Sequence, residues 1–142
     1  MNLAATDASL PQARYHEITV RVAQADIDEM EHVNNTVYLR WVQDVATSHW
    51  RVVASEEAQA AFTWVVLRHE IDYKAPGFLG DEVLLRTWVG EATRLTFERY
   101  TQMLRAADQQ LLAQARTLWC PISTKTGRPS RVTHELREQF ST

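Results

Sequence analysis

The chain has 142 residues, about the size of one domain, and its 45% apolar and 23% charged residues are ordinary for a globular fold, enough to bury a sizeable core without calling for disorder. Its 18 acids against 15 bases leave a net charge of −3, which offers no general attraction for phosphate backbones and sets nucleic acid aside as a partner. The single cysteine, Cys120, rules out an internal disulfide and fits a reducing compartment. With neither a secretory signal at the N-terminus nor the roughly 20 apolar residues that span a bilayer, the expectation is a cytoplasmic protein without a membrane partner.

Residues 1–13 read as a flexible leader and 14–142 as a single domain. HEITVRVAQA (16–25) alternates as a first strand, and an acidic loop follows. From Asn35 to about Ser55, Tyr38, Trp41, Val42, Val45, His49, Val52 and Val53 recur at three- and four-residue steps, the stripe of one long amphipathic helix. The period then changes to two. FTWVVLRHEIDYKAP (62–76) puts Leu67, His69, Ile71 and Tyr73 on one face and Arg68, Glu70 and Asp72 on the other. After the turn PGFLGD (76–81), the stretches 81–93, 94–106 and 109–122 read as three more strands, and THELREQF (133–140) closes the chain as a short helical piece. The order β-α-β-β-β-β predicts an α+β domain. Short connections favour an antiparallel meander of the last four strands, with the helix stripe buried against the sheet.

The sequence has no G-x-S-x-G elbow, no phosphate-binding P-loop and no G-x-G-x-x-G. Five histidines without an H-E-x-x-H, beside one cysteine, suggest no zinc centre, and nothing calls for a metal or cofactor. Cys120 reads as a buried structural thiol.

The stretch DIDEMEHVNNTVYLRW (26–41) carries the candidate chemistry. Asn34 is a good helix N-cap and leaves Asn35 in the first turn, where a free backbone N–H and the helix dipole suit a developing oxyanion. Asp28, on the same loop, is a carboxylate placed to act as general base for water or as a nucleophile. Taken alone, each member has a plainer reading: Asn34 and Asn35 as caps, Asp26 and Asp28 as solvated loop acids, His32 as a loop histidine, and His49 and His69 as satisfied interior groups.

The ordered set D-x-D-x-x-x-H-V-N-N-x-x-Y-L-R-W resembles the opening signature of the hotdog-fold acyl-CoA thioesterases of the 4-hydroxybenzoyl-CoA thioesterase type, especially the long-chain acyl-CoA branch that carries HVNN. HEIDYKAPGFLGDEV (69–83) is similar to that family's second strand and turn, and TKTGRPSRVTHELREQF (124–140) to its C-terminal end. The resemblance implies a hotdog fold, one long helix wrapped by an antiparallel sheet of about five strands. It implies hydrolysis of an acyl-CoA, or an acyl-ACP, with Asp28 as base or nucleophile, the Asn35 N–H polarising the carbonyl, and His32 beside them. Asn34, Tyr38, Trp41 and His69 would border the substrate, Arg128 and Arg131 the coenzyme A phosphates, and Lys74 and Arg94 are weaker candidates of the same kind. The site would lie at the interface of a homodimer or homotetramer. One departure is Glu31, which stands where relatives commonly have glycine or a neutral residue. Two other readings of the fold stay open: an enoyl thioester hydratase or dehydratase, whose aspartate five residues before the histidine is Ile27 here, and a non-catalytic acyl-thioester binding module.

Overall fold

A computed structural model describes residues 14–141, so the expected leader lies outside the described residues. The elements in order are β1 (His16–Arg21), a single 3-10 turn (Gln24–Asp26), α1 (Asn35–Val53), α2 (Glu56–Ala61), β2 (Phe62–Tyr73), β3 (Glu82–Ala92), β4 (Phe97–Arg105), β5 (Leu111–Ser123), α3 (His134–Glu138) and a final 3-10 turn. All five strands form one antiparallel sheet in the order β1-β3-β4-β5-β2. This is the α+β hotdog arrangement, with α1 laid across β3 and β1.

Helix α1 begins where Asn34 Oδ1 accepts the N–H of Thr36 at 2.9 Å, as an N-cap should. At about 1.5 Å per residue its 19 residues run roughly 28 Å. Its buried stripe is Val37, Tyr38, Trp41, Val42, Val45, Ala46 and His49, and the first five of these close against Val83, Leu85, Met103, Leu112 and Ala113 of the sheet. Val52, expected on that stripe, is exposed, while Trp50 of the same turn packs against Trp64 and Phe140. A second helix, α2, follows at once. Ser55 accepts the N–H of Ala58 at 3.1 Å, and Glu56 and Glu57 sit in the first turn, where acids oppose the helix dipole favourably.

Two expectations are corrected. The last four strands are not a simple meander: β3, β4 and β5 are consecutive, but β2 pairs with β5 and ends at a free edge. Alternation shows which face of a strand is buried and not which neighbour it pairs with, so the sequence left that open. The β2–β3 connection instead crosses the end of the sheet, with Lys74 and Ala75 both donating N–H groups to the Leu112 carbonyl. The second correction is within β2, where the register shifts between Val66 and Arg68. That bulge turns Leu67 outward to solvent while Val66 and His69 both face inward, since an inserted residue reverses the alternation beyond it.

Candidate active site

The loop between β1 and α1 is closed by its own backbone. The Asn34 N–H donates to the Asp26 carbonyl at 2.9 Å, Ile27 and Val33 form an antiparallel bridge, and the Asp28 N–H donates to the His32 carbonyl at 3.0 Å. Paired backbone lies about 4.8 Å apart, so Asp28 and the start of α1 are held in one compact structure. Asp28 Oδ1 accepts the N–H groups of Met30 at 2.9 Å and His32 at 3.4 Å. One carboxylate oxygen is thus fixed by the loop, while Oδ2 has no partner among the described residues and the residue is half-buried. Glu31 makes the turn with a φ of 63°, a left-handed conformation that glycine adopts without strain.

Asn35 is the first residue of α1. Its N–H cannot be used inside the helix, and no described group accepts it, while its carbonyl accepts the Tyr73 hydroxyl at 3.3 Å. The loop thus carries, seven residues apart, the Asp28 Oδ2 and the Asn35 N–H, neither of which has a partner among the described residues, the latter at the positive end of a helix.

Asp26, expected as a solvated acid, is instead 5% exposed. Its Oδ2 accepts the Ala23 N–H at 2.9 Å and its Oδ1 accepts from Arg40 Nη2 at 2.9 Å. Burial pushes its pKa up, but the Ala23 amide and the Arg40 guanidinium outweigh that and hold it below the ordinary carboxylate value. Asp26 is a structural clamp between the loop and α1. The Arg40 side of this pair was legible only as one of the two arginines on the helix.

His32 packs edge-on against Phe78 at 5.4 Å, and its ring makes no hydrogen bond to Asp28. Tyr38 and Trp41 meet edge-to-face at 5.2 Å and are both buried, so they seat α1 on the sheet. Gly77 lets the crossing loop approach them: a Cβ there would meet Val33 Cγ2 at 3.0 Å and Tyr38 Oη at 3.3 Å. His69 is mid-strand on β2, with Nδ1 3.1 Å from Thr117 Oγ1, and burial lowers its pKa. Cys120 is buried.

The arginines are not brought to Asp28 within one copy. Arg128 and Arg131 are exposed beyond the end of β5, near Phe62, which pairs with Ser123. Asn35 meets Tyr73 at the other end of the 12-residue strand β2, about 36 Å away at 3.3 Å per residue. Arg94, between β3 and β4, shares the Arg128 end, whereas Lys74, next to Tyr73, is exposed on the Asn35 side.

No group of three or more His, Cys, Asp and Glu among the described residues could hold a metal ion. No helix among them is long and apolar enough to cross a membrane.

A family model for the thioesterase-like superfamily matches residues 22–140, nearly the whole described chain. The chain belongs to the thioesterase-like superfamily. Solved structures share its fold. A 4-hydroxybenzoyl CoA thioesterase mutant complexed with 4-hydroxybenzoyl CoA superposes with a TM-score of 0.82 at 15% identity, over 90% of this chain and 99% of that one. A 1,4-dihydroxy-2-naphthoyl-CoA thioesterase from Synechocystis gives 0.75 at 19% identity, over 90% and 96%. A 12:0-ACP thioesterase from Umbellularia californica gives 0.75 at 17% identity, over 89% of this chain and 49% of that one. By sequence, two uncharacterised proteins of Mycobacterium tuberculosis are each 24% identical over 120 residues, 84% of this chain. This member of the superfamily spans about half the length of those relatives, 46% of each.

Proposed function

We propose that the chain hydrolyses an acyl-CoA thioester to the free acid and coenzyme A. The observation that carries this is the Asp28 carboxylate, fixed through Oδ1 by the Met30 and His32 amides, sharing one loop with the free N–H of Asn35. The thioester carbonyl oxygen points at that N–H. Asp28 Oδ2 takes a proton from a water, the water oxygen bonds to the carbonyl carbon, and the oxyanion is stabilised at the helix N-terminus. Collapse expels the coenzyme A thiolate, which needs little acid assistance, and Asp28 returns its proton to solvent. Direct attack by Asp28 through an acyl anhydride is the variant of this route. His32 shapes the loop, and no step calls for a cofactor.

The free edge of β2 supports a homodimer. Val65 and Leu67 are exposed on it, and an unprotected apolar edge is a pairing template. Antiparallel pairing of two β2 edges near Leu67 would set the Phe62 end of one copy beside the Tyr73 end of the other. Arg128 and Arg131 of one copy would then approach the Asp28 loop of the second, where they suit coenzyme A phosphates. Gel filtration checks this: wild type elutes as a dimer or tetramer and Leu67→Glu shifts toward monomer, whereas monomeric wild type removes the arginines from the site.

The HVNN run is what supports a long-chain acyl-CoA as the substrate of this reading, and acyl-ACP is the alternative carrier. A cytoplasmic role in fatty acid metabolism follows from that substrate class. Thiol release from acyl-CoA and acyl-ACP panels of graded chain length tests the reading. The expected result is release from at least one long-chain substrate; hydration of an enoyl-CoA without thiol release would favour the hydratase instead.

A further inference from the structure

Arg99, on β4, is 4% exposed and lies beneath α1. Its Nη1 donates to His49 Nδ1 and to Thr87 Oγ1, each at 3.0 Å, and its guanidinium stands 5.6 Å from the Phe140 ring centre. Its Nε and Nη2 have no hydrogen-bond partner among the described residues, and no carboxylate there pairs with it. Burial lowers its pKa to about 9, which leaves it a cation at neutral pH. A buried charge without a counter-charge costs several kcal/mol, and the neutral groups of His49 and Thr87 offset only part of that.

Arg99 lines a cavity of about 330 Å³ between the C-terminal half of α1 and the sheet, walled by Trp50, Trp64, Phe97, Trp119 and Phe140. The indole N–H groups of Trp64 and Trp119 are buried with no acceptor. Glu98 also borders the cavity, but its carboxylate is engaged by Arg116 and by the Glu91 N–H; adjacent strand residues alternate faces, so it points away from Arg99. The two indole nitrogens have no accessible surface of their own, so what the cavity combines is a large apolar wall with the guanidinium of Arg99, whose Nε and Nη2 lack an acceptor among the described residues. Its size suits a small organic ligand, and the guanidinium fork takes a carboxylate bidentately, its single positive charge balancing the single negative charge of one carboxylate.

We propose that this cavity binds an apolar monocarboxylate, its carboxylate paired with Arg99 and its hydrocarbon or aryl body held among the five aromatic rings. The proposal does not rest on the thioesterase reading. The carboxylate has two sources, a free acid or the far end of an acyl group whose other end is the thioester.

Calorimetric titration of the whole chain with 3-phenylpropionate and with 3-phenylpropionamide is the test. Wild type should bind the acid at least ~10-fold more tightly than the amide, as a charge-assisted pair would give. Arg99→Met, which removes a buried charge while keeping the stem volume, should stay folded and lose that difference. Thr47→Phe, at the exposed rim, should weaken both ligands. Equal binding of acid and amide to wild type, absence of binding, or a preference that survives in Arg99→Met would overturn the proposal. Thiol release from acyl-CoAs of equal length ending in methyl or carboxylate separates the sources. A preference for the carboxylate end that Arg99→Met abolishes assigns the acyl group, and acid binding without such a preference assigns the free acid. A chain that releases no thiol from any substrate leaves the calorimetric result intact.

Discussion

Arg40 reaches back from the second turn of α1 to Asp26, with Nη2 2.9 Å from Oδ1, and thereby ties the helix to the loop that carries Asp28. The acid end is buried and the arginine half-exposed, so Asp26 gains most from the contact. Asp26→Ala leaves the Ala23 amide without its acceptor and should cost about 1–3 kcal/mol of stability. It should also reduce thiol release, since Asp28 and the Asn35 amide lose their common support. Because the folded pKa of Asp26 lies below its ordinary 3.8, its contribution is present above that pH and is lost as pH falls through the folded value. Urea denaturation of both proteins from pH 7 to below 3 measures the stability cost and its loss on acidification, and thiol release at pH 7 measures the loss of activity.

Glu31 holds a φ of 63° at an exposed position, where its side chain has no hydrogen bond or ion pair among the described residues. Glu31→Gly removes a left-handed strain of about 1–2 kcal/mol and returns part of it as unfolded-state entropy. The net expectation is a gain of roughly 0.5 kcal/mol with the Asp28 turn unchanged, read as a rise in the denaturation midpoint. A loss of stability would mean that Glu31 makes a contact the backbone argument does not include.

His49 is buried, accepts from Arg99 at Nδ1 and stacks on His16 at 5.2 Å. Burial, then Arg99 and His16, lower its pKa from 6.5 to about 3. The unfolded chain therefore takes up a proton below 6.5 that the folded chain refuses, and stability should fall by up to about 1.4 kcal/mol per pH unit as pH drops from 6.5 toward 3. His16, lowered by burial and by Arg99, adds in the same direction. His49→Gln keeps an acceptor for Arg99 and should flatten the slope. An unchanged slope in that variant would assign the acid sensitivity elsewhere.

Much of the fold was written in periodicities. The 3.6-residue stripe from Tyr38 to His49 translates directly into the buried face of α1, and the stretches 81–93, 94–106 and 109–122 are strands as expected, because burial of one face is what produces such patterns. The pairing of β2 with β5 was hidden, since partner choice depends on the path of the loop at Lys74–Asp81 and leaves no local period. The bulge at Leu67 was hidden for a related reason: a single inserted residue is invisible in a strand whose two faces both carry apolar side chains. At the site, the Asn34 cap was readable from the loop that precedes α1. Asp26 was not, because its partner Arg40 lies one helical turn inside α1, and an exposed pattern of charges does not say which acid is turned inward. Arg99 was unreadable for the same physical reason. Its strand alternates correctly, and only the packed structure shows that its inward position lacks an acid.

The most direct test of the central claim is thiol release by Asp28→Asn beside wild type, on the best substrate of an acyl-CoA panel, with circular dichroism to verify the fold. Asparagine keeps Oδ1 as acceptor for the Met30 and His32 amides and removes only the base, so kcat should fall by at least ~10²-fold with the melting temperature nearly unchanged. Wild-type turnover in Asp28→Asn, or equal inertness of both proteins toward every acyl-CoA and acyl-ACP offered, would contradict the assignment of Asp28 as the catalytic carboxylate.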